Sequence, residues 1–172
     1  FGAGEGLTAL GVPIDAPGMS VHADRVWDSA AAKTLHLLER LRDFPSAWIR
    51  HVLLRHCLDA CKVMHLLRST PIGSGASAVA SLSDALRQAL ADLVNVGMSD
   101  EAYAQATLPA SLGGAGIKDP AFERGPARMA AICGFAMDGH SRVGCPQFAC
   151  AAPLRDTAAT IAALRPTLGP RF

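Results

Sequence analysis

Between residues 50 and 68 the sequence sets out Arg50, His51, Arg55, His56, Lys62, His65 and Arg68, with Asp59 the lone carboxylate among them. Guanidinium and ammonium groups spread in this way neutralise phosphates rather than break bonds. Each phosphate contact releases counterions and steepens the salt dependence of binding to duplex DNA by about 0.9. Arg50, Arg55, Lys62 and Arg68 are therefore the candidate nucleic-acid-binding residues, although their angular spread keeps all of them from facing one groove together. The competing reading for each is an exposed charge whose stem lies over apolar surface.

Other reactive side chains are arranged less favourably for chemistry. Cys57 and Cys61 share their segment with His51, His56 and His65, but neighbours on one helix point outward and nothing nearby resembles an oxyanion site. The two cysteines stand one turn apart and read as core packing. Cys133, His140, Cys145 and Cys150 bring metal-binding atoms without a Cys-x-x-Cys knuckle or the spacing of a zinc module, so thiols rather than a metal site are expected. Gly2, Gly4 and Gly6 lack the spacing and the strand-helix-strand surroundings of a phosphate loop, and read as a turn feeding a short strand over Leu7–Ile14. No catalytic residue, metal ligand or cofactor is assigned within the chain.

The basic residues must be positioned by a helix. Pro45 suits a first helical turn and Pro71 ends one, because proline lacks an N–H and restricts the residue before it. The sequence thus predicts about 25 uninterrupted helical residues, roughly 37 Å at 1.5 Å rise. Ile49, Val52, Leu53, Cys57, Ala60, Cys61, Met64 and Leu67 recur at steps of three and four and form its expected buried stripe. Upstream, Ser20 or Asp24 caps a helix reaching Phe44, with Val26, Trp27, Ala30, Ala31, Leu35, Leu38 and Leu41 inward and Lys33, Glu39, Arg40, Arg42 and Asp43 on a mixed, solvated face. The short linker predicts an antiparallel pair with leucine stripes facing. After the break at 71–76, a third helix runs from Ser77 to Val96 with Gly97 as its cap and Asp84 and Asp92 turned away from any phosphate backbone. A short helix from Ser99 to Thr107 follows, then a loop over 108–120, a helix at Ala127–Met137, a loop at Gly139–Pro146 and a last helix at Asp156–Leu164.

Three pieces, in order, are similar to the thumb and post-thumb region of reverse transcriptases of the non-LTR retrotransposon type. LTALGVPID at 7–15 resembles the primer-grip strand with its LG-x-PIG ending, and LLRHCLDACKVMHLLRSTPI at 53–72 resembles the thumb segment. Gln105-Ala106, Leu108-Pro109 and GGAGI at 113–117 resemble the QA-x-LP…GGLGL signature. Asp15 replaces a glycine and Ala115 a leucine of that pattern, and the likeness spans Leu7 to Lys118. It implies that Leu10, Gly11 and Val12 belong to the primer-grip hairpin and that Arg68 is the arginine of the HLLR motif. It further implies a template-primer partner, RNA–DNA or DNA duplex, and the palm and fingers domains of a longer parent chain. That parent would be an RNA-directed DNA polymerase using Mg²⁺ held by an aspartate pair. The chain has no Asp-Asp dipeptide, so the pair would lie upstream in the parent.

Composition agrees with a helical protein. Half of the 172 residues are hydrophobic, and alanine and leucine dominate over the β-branched and aromatic residues that favour sheets. The expected fold class is mainly α: a small thumb-like helical bundle with a short N-terminal strand or hairpin and a loop-rich helical C-terminal part. Its expected divisions are the end of a palm and primer-grip strand at 1–18, a three-helix bundle at 19–97 and a post-thumb region at 98–172. A net charge of +1 argues neither for nor against nucleic acid; the local basic patch does. Five cysteines without a secretory signal point to a reducing intracellular compartment, with the nucleus compatible. No apolar run approaches the roughly 18 residues that cross a bilayer, so no membrane partner is expected. Phe1 in place of an initiator Met suggests a piece of a longer chain. Two functions follow as expectations: a duplex-gripping thumb fragment, or a helical protein-interaction or scaffold module descended from such an element.

Overall fold

A computed structural model describes residues 7–14 and 20–142. Strands β1 (Leu7–Ala9) and β2 (Val12–Ile14) pair antiparallel, with Ala9 opposite Val12 and Leu7 opposite Ile14. The helices are α1 (Ser20–Arg40), α2 (Ala47–Leu53), α3 (Met64–Ser69), α4 (Ala76–Val94), α5 (Asp100–Thr107) and α6 (Pro120–Arg142). The molecule is mainly α with a small N-terminal hairpin, as composition implies.

Helix α1 buries Ala23, Trp27, Ala31, Thr34 and Leu38, a run of three- and four-residue steps that makes one stripe. Its chief partner is α4, and the two helices run parallel: Asp24 near the start of α1 accepts from the Gly75 N–H at 2.7 Å, while Arg42 beyond its end meets Asp92 at 2.6 Å. The facing antiparallel pair expected from the short linker is not the main contact, because α4 offers the longer continuous apolar stripe of Val79, Leu82, Leu86 and Leu90. Helix α4 stops at Asn95, whose left-handed φ of 55° ends the helix two residues before Gly97. Gly75, ahead of α4, has φ +67° and lies so close under Trp27 that a Cβ there would run into the indole ring.

The core has two adjoining clusters. One gathers Trp27, Ala31, Ala60, Val63, Leu66, Leu67, Ala78, Val79, Leu82 and Ala127. The other gathers Leu38, Leu41, Leu54, Leu58, Leu86, Leu90, Tyr103 and Ile117. Each large side chain removed from water in this way contributes about 1.5–3 kcal/mol. The Trp27 indole N–H donates to Thr70 Oγ1 at 3.0 Å, and that hydroxyl donates to the Leu66 carbonyl at 2.7 Å, so the polar atom inside the first cluster is satisfied.

The long straight helix expected over 45–70 does not form. Helix α2 begins after Ser46, whose hydroxyl accepts from the Ile49 N–H, and gives way at Leu54–Leu58 to a wider π turn. At Asp59 the backbone is extended (φ −76°, ψ −161°), and a 3₁₀ turn over Ala60–Val63 leads into α3. The cause is Asp59 itself. Its buried carboxylate accepts from the Cys61 N–H at 2.8 Å and the Lys118 N–H at 3.2 Å, and the Ala60 N–H donates to the Lys118 carbonyl at 2.9 Å. Bonds that a continuous helix would make within itself go instead to the 117–119 strand of loop, the competition that makes aspartate a poor interior helix residue. The break rotates the face: Leu54, Leu58, Ala60, Val63, Leu66 and Leu67 are buried, while Ile49, Cys57 and Cys61 are exposed. The two cysteines are therefore not core residues.

Helix α6 starts at Pro120, seven residues earlier than expected, because proline fits the first turn and the preceding Asp119 carboxylate accepts from the Ala121 N–H at 2.7 Å. It runs through Pro126 and through the loop expected at Gly139, as far as Arg142. It packs chiefly on α3, where Arg128 Nη1 donates to the Arg68 carbonyl at 2.9 Å and the Arg124 guanidinium donates to the Ser74 and Pro71 carbonyls. Burial lowers the Arg124 pKa from its usual value, and the nearby Asp24 partly offsets this. The helix expected at Asp156–Leu164 lies outside the described residues.

Candidate nucleic-acid interface

The hairpin turn has positive φ at both central residues, Leu10 (53°) and Gly11 (79°), the requirement of the type I′ turn that suits a two-residue hairpin. Glycine adopts that angle freely and leucine does not, yet Leu10 is held there with its side chain wholly in solvent. Behind the turn, Gly11 backs onto the His65 ring, close enough that a Cβ would stand 3.7 Å from Nε2. Thr8 Oγ1 and His22 Nε2 are 2.9 Å apart and tie the hairpin to α1.

These contacts form one wall of an open groove of about 550 Å³. Helix α1 presents His22, Arg25, Ser29 and Lys33, and the opposite side is Lys62 and His65. Three permanent cations and two imidazoles line it, and no carboxylate does so among the described residues. Asp24 is turned to the Gly75 amide. Such a cleft concentrates positive potential and suits an anionic ligand of extended shape.

Of the four basic residues singled out by sequence, only Lys62 reaches this groove. Arg55 is half-buried and lays its guanidinium against Gly116 in the glycine-rich loop, with Nε 3.1 Å from where a Cβ would sit. Arg50 is half-buried on α2, and its Nε is shielded from solvent without a hydrogen-bond partner. Arg68 is exposed on α3, and its backbone carbonyl accepts from Arg128 of α6. The break at Asp59 is the reason: it separates Arg50 and Arg55 from Lys62 and Arg68. Of the three hairpin residues, Gly11 lines the groove, Leu10 projects from the tip, and Val12 is half-buried in β2 opposite Ala9.

Sequence reasoning missed Arg25, Lys33 and His22. Their signal was present, since 22, 25, 29 and 33 recur at steps of three and four along one shoulder of the buried stripe. Lys33 was absorbed instead into the mixed-sign face.

The glycine-rich loop is built quite differently. Asp119 is buried and accepts from the Tyr103 hydroxyl at 2.6 Å, the Ser83 hydroxyl at 2.6 Å and the Ala121 N–H. Burial, followed by this bond to Asp119, pushes the Tyr103 pKa well up. Cys61 is also raised, first by its interaction with Asp59 and then by partial burial. Both carboxylates are engaged by protein donors, and among the described residues no three His, Cys, Asp or Glu side chains converge. Cys145 and Cys150 lie outside the described residues, and Cys133 is exposed.

No known protein family, no curated protein and no solved structure matches this chain. Among the described residues, no helix is long and apolar enough to cross a membrane.

Proposed function

We propose that the chain is a nucleic-acid-gripping module, a thumb and post-thumb region of a reverse transcriptase-like protein that holds a template-primer duplex and does no chemistry of its own. The observation that supports this reading most is the cationic groove in which Gly11 of the hairpin, Arg25, Lys33 and Lys62 face a common space with no carboxylate among the described lining residues. The likeness of LTALGVPID to a primer-grip strand concerns the same hairpin that forms the groove wall. Phosphates of an RNA–DNA or DNA duplex would lie along α1, with the palm and fingers of a parent chain supplying the aspartates and Mg²⁺. Work of this kind fits a reducing, nuclear compartment.

A labelled RNA–DNA hybrid titrated with the protein across a salt series tests the reading. Three phosphate contacts predict affinity that falls with salt at a log–log slope of roughly −2 to −3. Binding that ignores salt, or no binding at low salt by a folded protein, contradicts it.

A second reading has its own observation. Phe44, Trp48 and Ile49 are exposed beside an apolar cleft lined by Leu37, Leu41, Leu53 and Leu58, a surface better suited to a protein partner than to phosphate. On that reading the chain is a helical interaction or scaffold module, and Trp48→Ala would weaken partner capture while leaving duplex binding unchanged.

A further inference from the structure

We propose that His22 and His65 are phosphate-contacting residues when protonated, so that the groove tightens on nucleic acid as pH falls. This rests on the reading of the groove as a phosphate-binding surface.

Both rings line the groove, from opposite sides. His22 is held at 2.9 Å from Thr8 Oγ1, and His65 is backed by Gly11. The charged and titratable groups facing them are Arg25 and Lys33 from α1 and Lys62 from the 3₁₀ turn. The hairpin adds Thr8 and Gly11, neither of them charged. On α1, Asp24 is committed to the Gly75 N–H, and Asp28 is exposed and is not among the lining residues. Among the described residues no carboxylate lines the groove to pair with an imidazolium there, and a phosphate of the ligand would supply the counter-charge.

Imidazole is the side chain that changes charge between about pH 5 and 8. A phosphodiester lying in the groove stabilises the protonated ring over the neutral one, and binding then takes up protons. At high pH three fixed cations hold the ligand; at low pH two more contacts join them. The Thr8 hydroxyl bonds His22 Nε2 when the ring is neutral and accepts from it when the ring is protonated, so the hairpin contact survives the change of charge and Nδ1 is the nitrogen left for a phosphate. Elsewhere, His36 and His56 are exposed and His51 is half-buried, and none of them lines the groove.

The test is binding of a labelled DNA duplex by the whole chain, measured over a salt series at about pH 5.5 and about pH 8. The log–log salt slope is expected to be steeper at the lower pH by about 0.9 for each imidazolium contact, about 1.8 for both. His22→Gln and His65→Gln should each remove about half of that difference, and the double variant should show at both pH values the slope of the unaltered protein at the higher one. Glutamine keeps a donor and acceptor near Thr8, and circular dichroism confirms that each variant is folded. Equal slopes at the two pH values, with binding intact, overturn the proposal and leave the groove reading standing. A pH effect undiminished in the double variant likewise assigns it elsewhere and overturns the proposal. Absence of binding at both pH values and low salt overturns the groove reading, and this inference with it.

Discussion

Along the hairpin side of α1, Arg25, Lys33 and Lys62 stand with two histidines around open space that no carboxylate lines among the described residues; around the glycine-rich loop, Asp59 and Asp119 are buried and accept from backbone amides, a tyrosine and a serine. The two regions share a neighbour, since Lys62 lies three residues after Asp59. Buried charge is tolerated in a fold when its polar atoms are hydrogen-bonded, and both carboxylate oxygens of Asp59 and of Asp119 have donors. Exposed like charges that the fold leaves unpaired contribute nothing to stability and repel one another mildly. On the proposed reading, a ligand of opposite charge accounts for the cluster.

The comparison predicts that changes on the loop side and in the core cost stability, while changes in the groove cost binding alone. The largest effect is expected at Trp27, whose indole fills the first core cluster and bonds Thr70. Trp27→Ala should lose about 3–5 kcal/mol in denaturant unfolding, and a loss below about 1 kcal/mol would place the core elsewhere. Next comes Asp119→Ala, which strands the Tyr103 and Ser83 hydroxyls and the Ala121 amide. It should cost about 2 kcal/mol or more, whereas Lys62→Ala should leave the melting temperature almost unchanged.

Tyr103 sharpens the contrast through pH. It is the chain's one tyrosine, so its ionisation can be followed alone by ultraviolet absorbance. Its pKa is raised in the folded state, so the native protein holds the phenolic proton over a range where the unfolded chain has released it. Stability from this group is then fully present below tyrosine's ordinary value near 10 and declines as pH rises above it. Tyrosinate absorbance should accordingly appear at higher pH in the folded protein than in denaturant, and Tyr103→Phe should flatten the alkaline decline in stability. The smallest effect belongs to Arg42→Ala: the Arg42–Asp92 pair is short at 2.6 Å but largely exposed on the arginine side. About 0.5 kcal/mol is expected, fading with added salt.

Much of this fold was legible in the sequence. The periodic stripes gave α1 and α4 nearly to the residue, and Ser99 before two acidic residues marked the start of α5, where its hydroxyl does accept from the Ala102 N–H. What failed was the reading of 45–70 as one helix. Its apolar periodicity is genuine on each side of Asp59, but the phase changes there. Asp59-Ala-Cys carried the local signal of a capping aspartate, whose side chain can accept from the amide two residues on. The partner that fixes the break, Lys118, is fifty-nine residues away, and nothing local announces it. The candidate site suffered from the same error. Even on a straight helix the angular spread of Arg50, Arg55, Lys62 and Arg68 keeps them from one groove, and the residues that do share a groove come from three segments joined by tertiary packing.

The central claim, that the groove rather than the whole basic stretch holds nucleic acid, is tested most directly by two triple variants assayed side by side. Arg25, Lys33 and Lys62 are changed to Ala in one, and Arg50, Arg55 and Arg68 in the other, and binding to a labelled hybrid duplex is followed across salt. The account predicts that the groove variant loses most of its affinity, with the log–log slope reduced by about 0.9 for each contact removed, while the second variant keeps a slope close to that of the unaltered protein. A second variant that loses binding while the groove variant retains it would contradict the account.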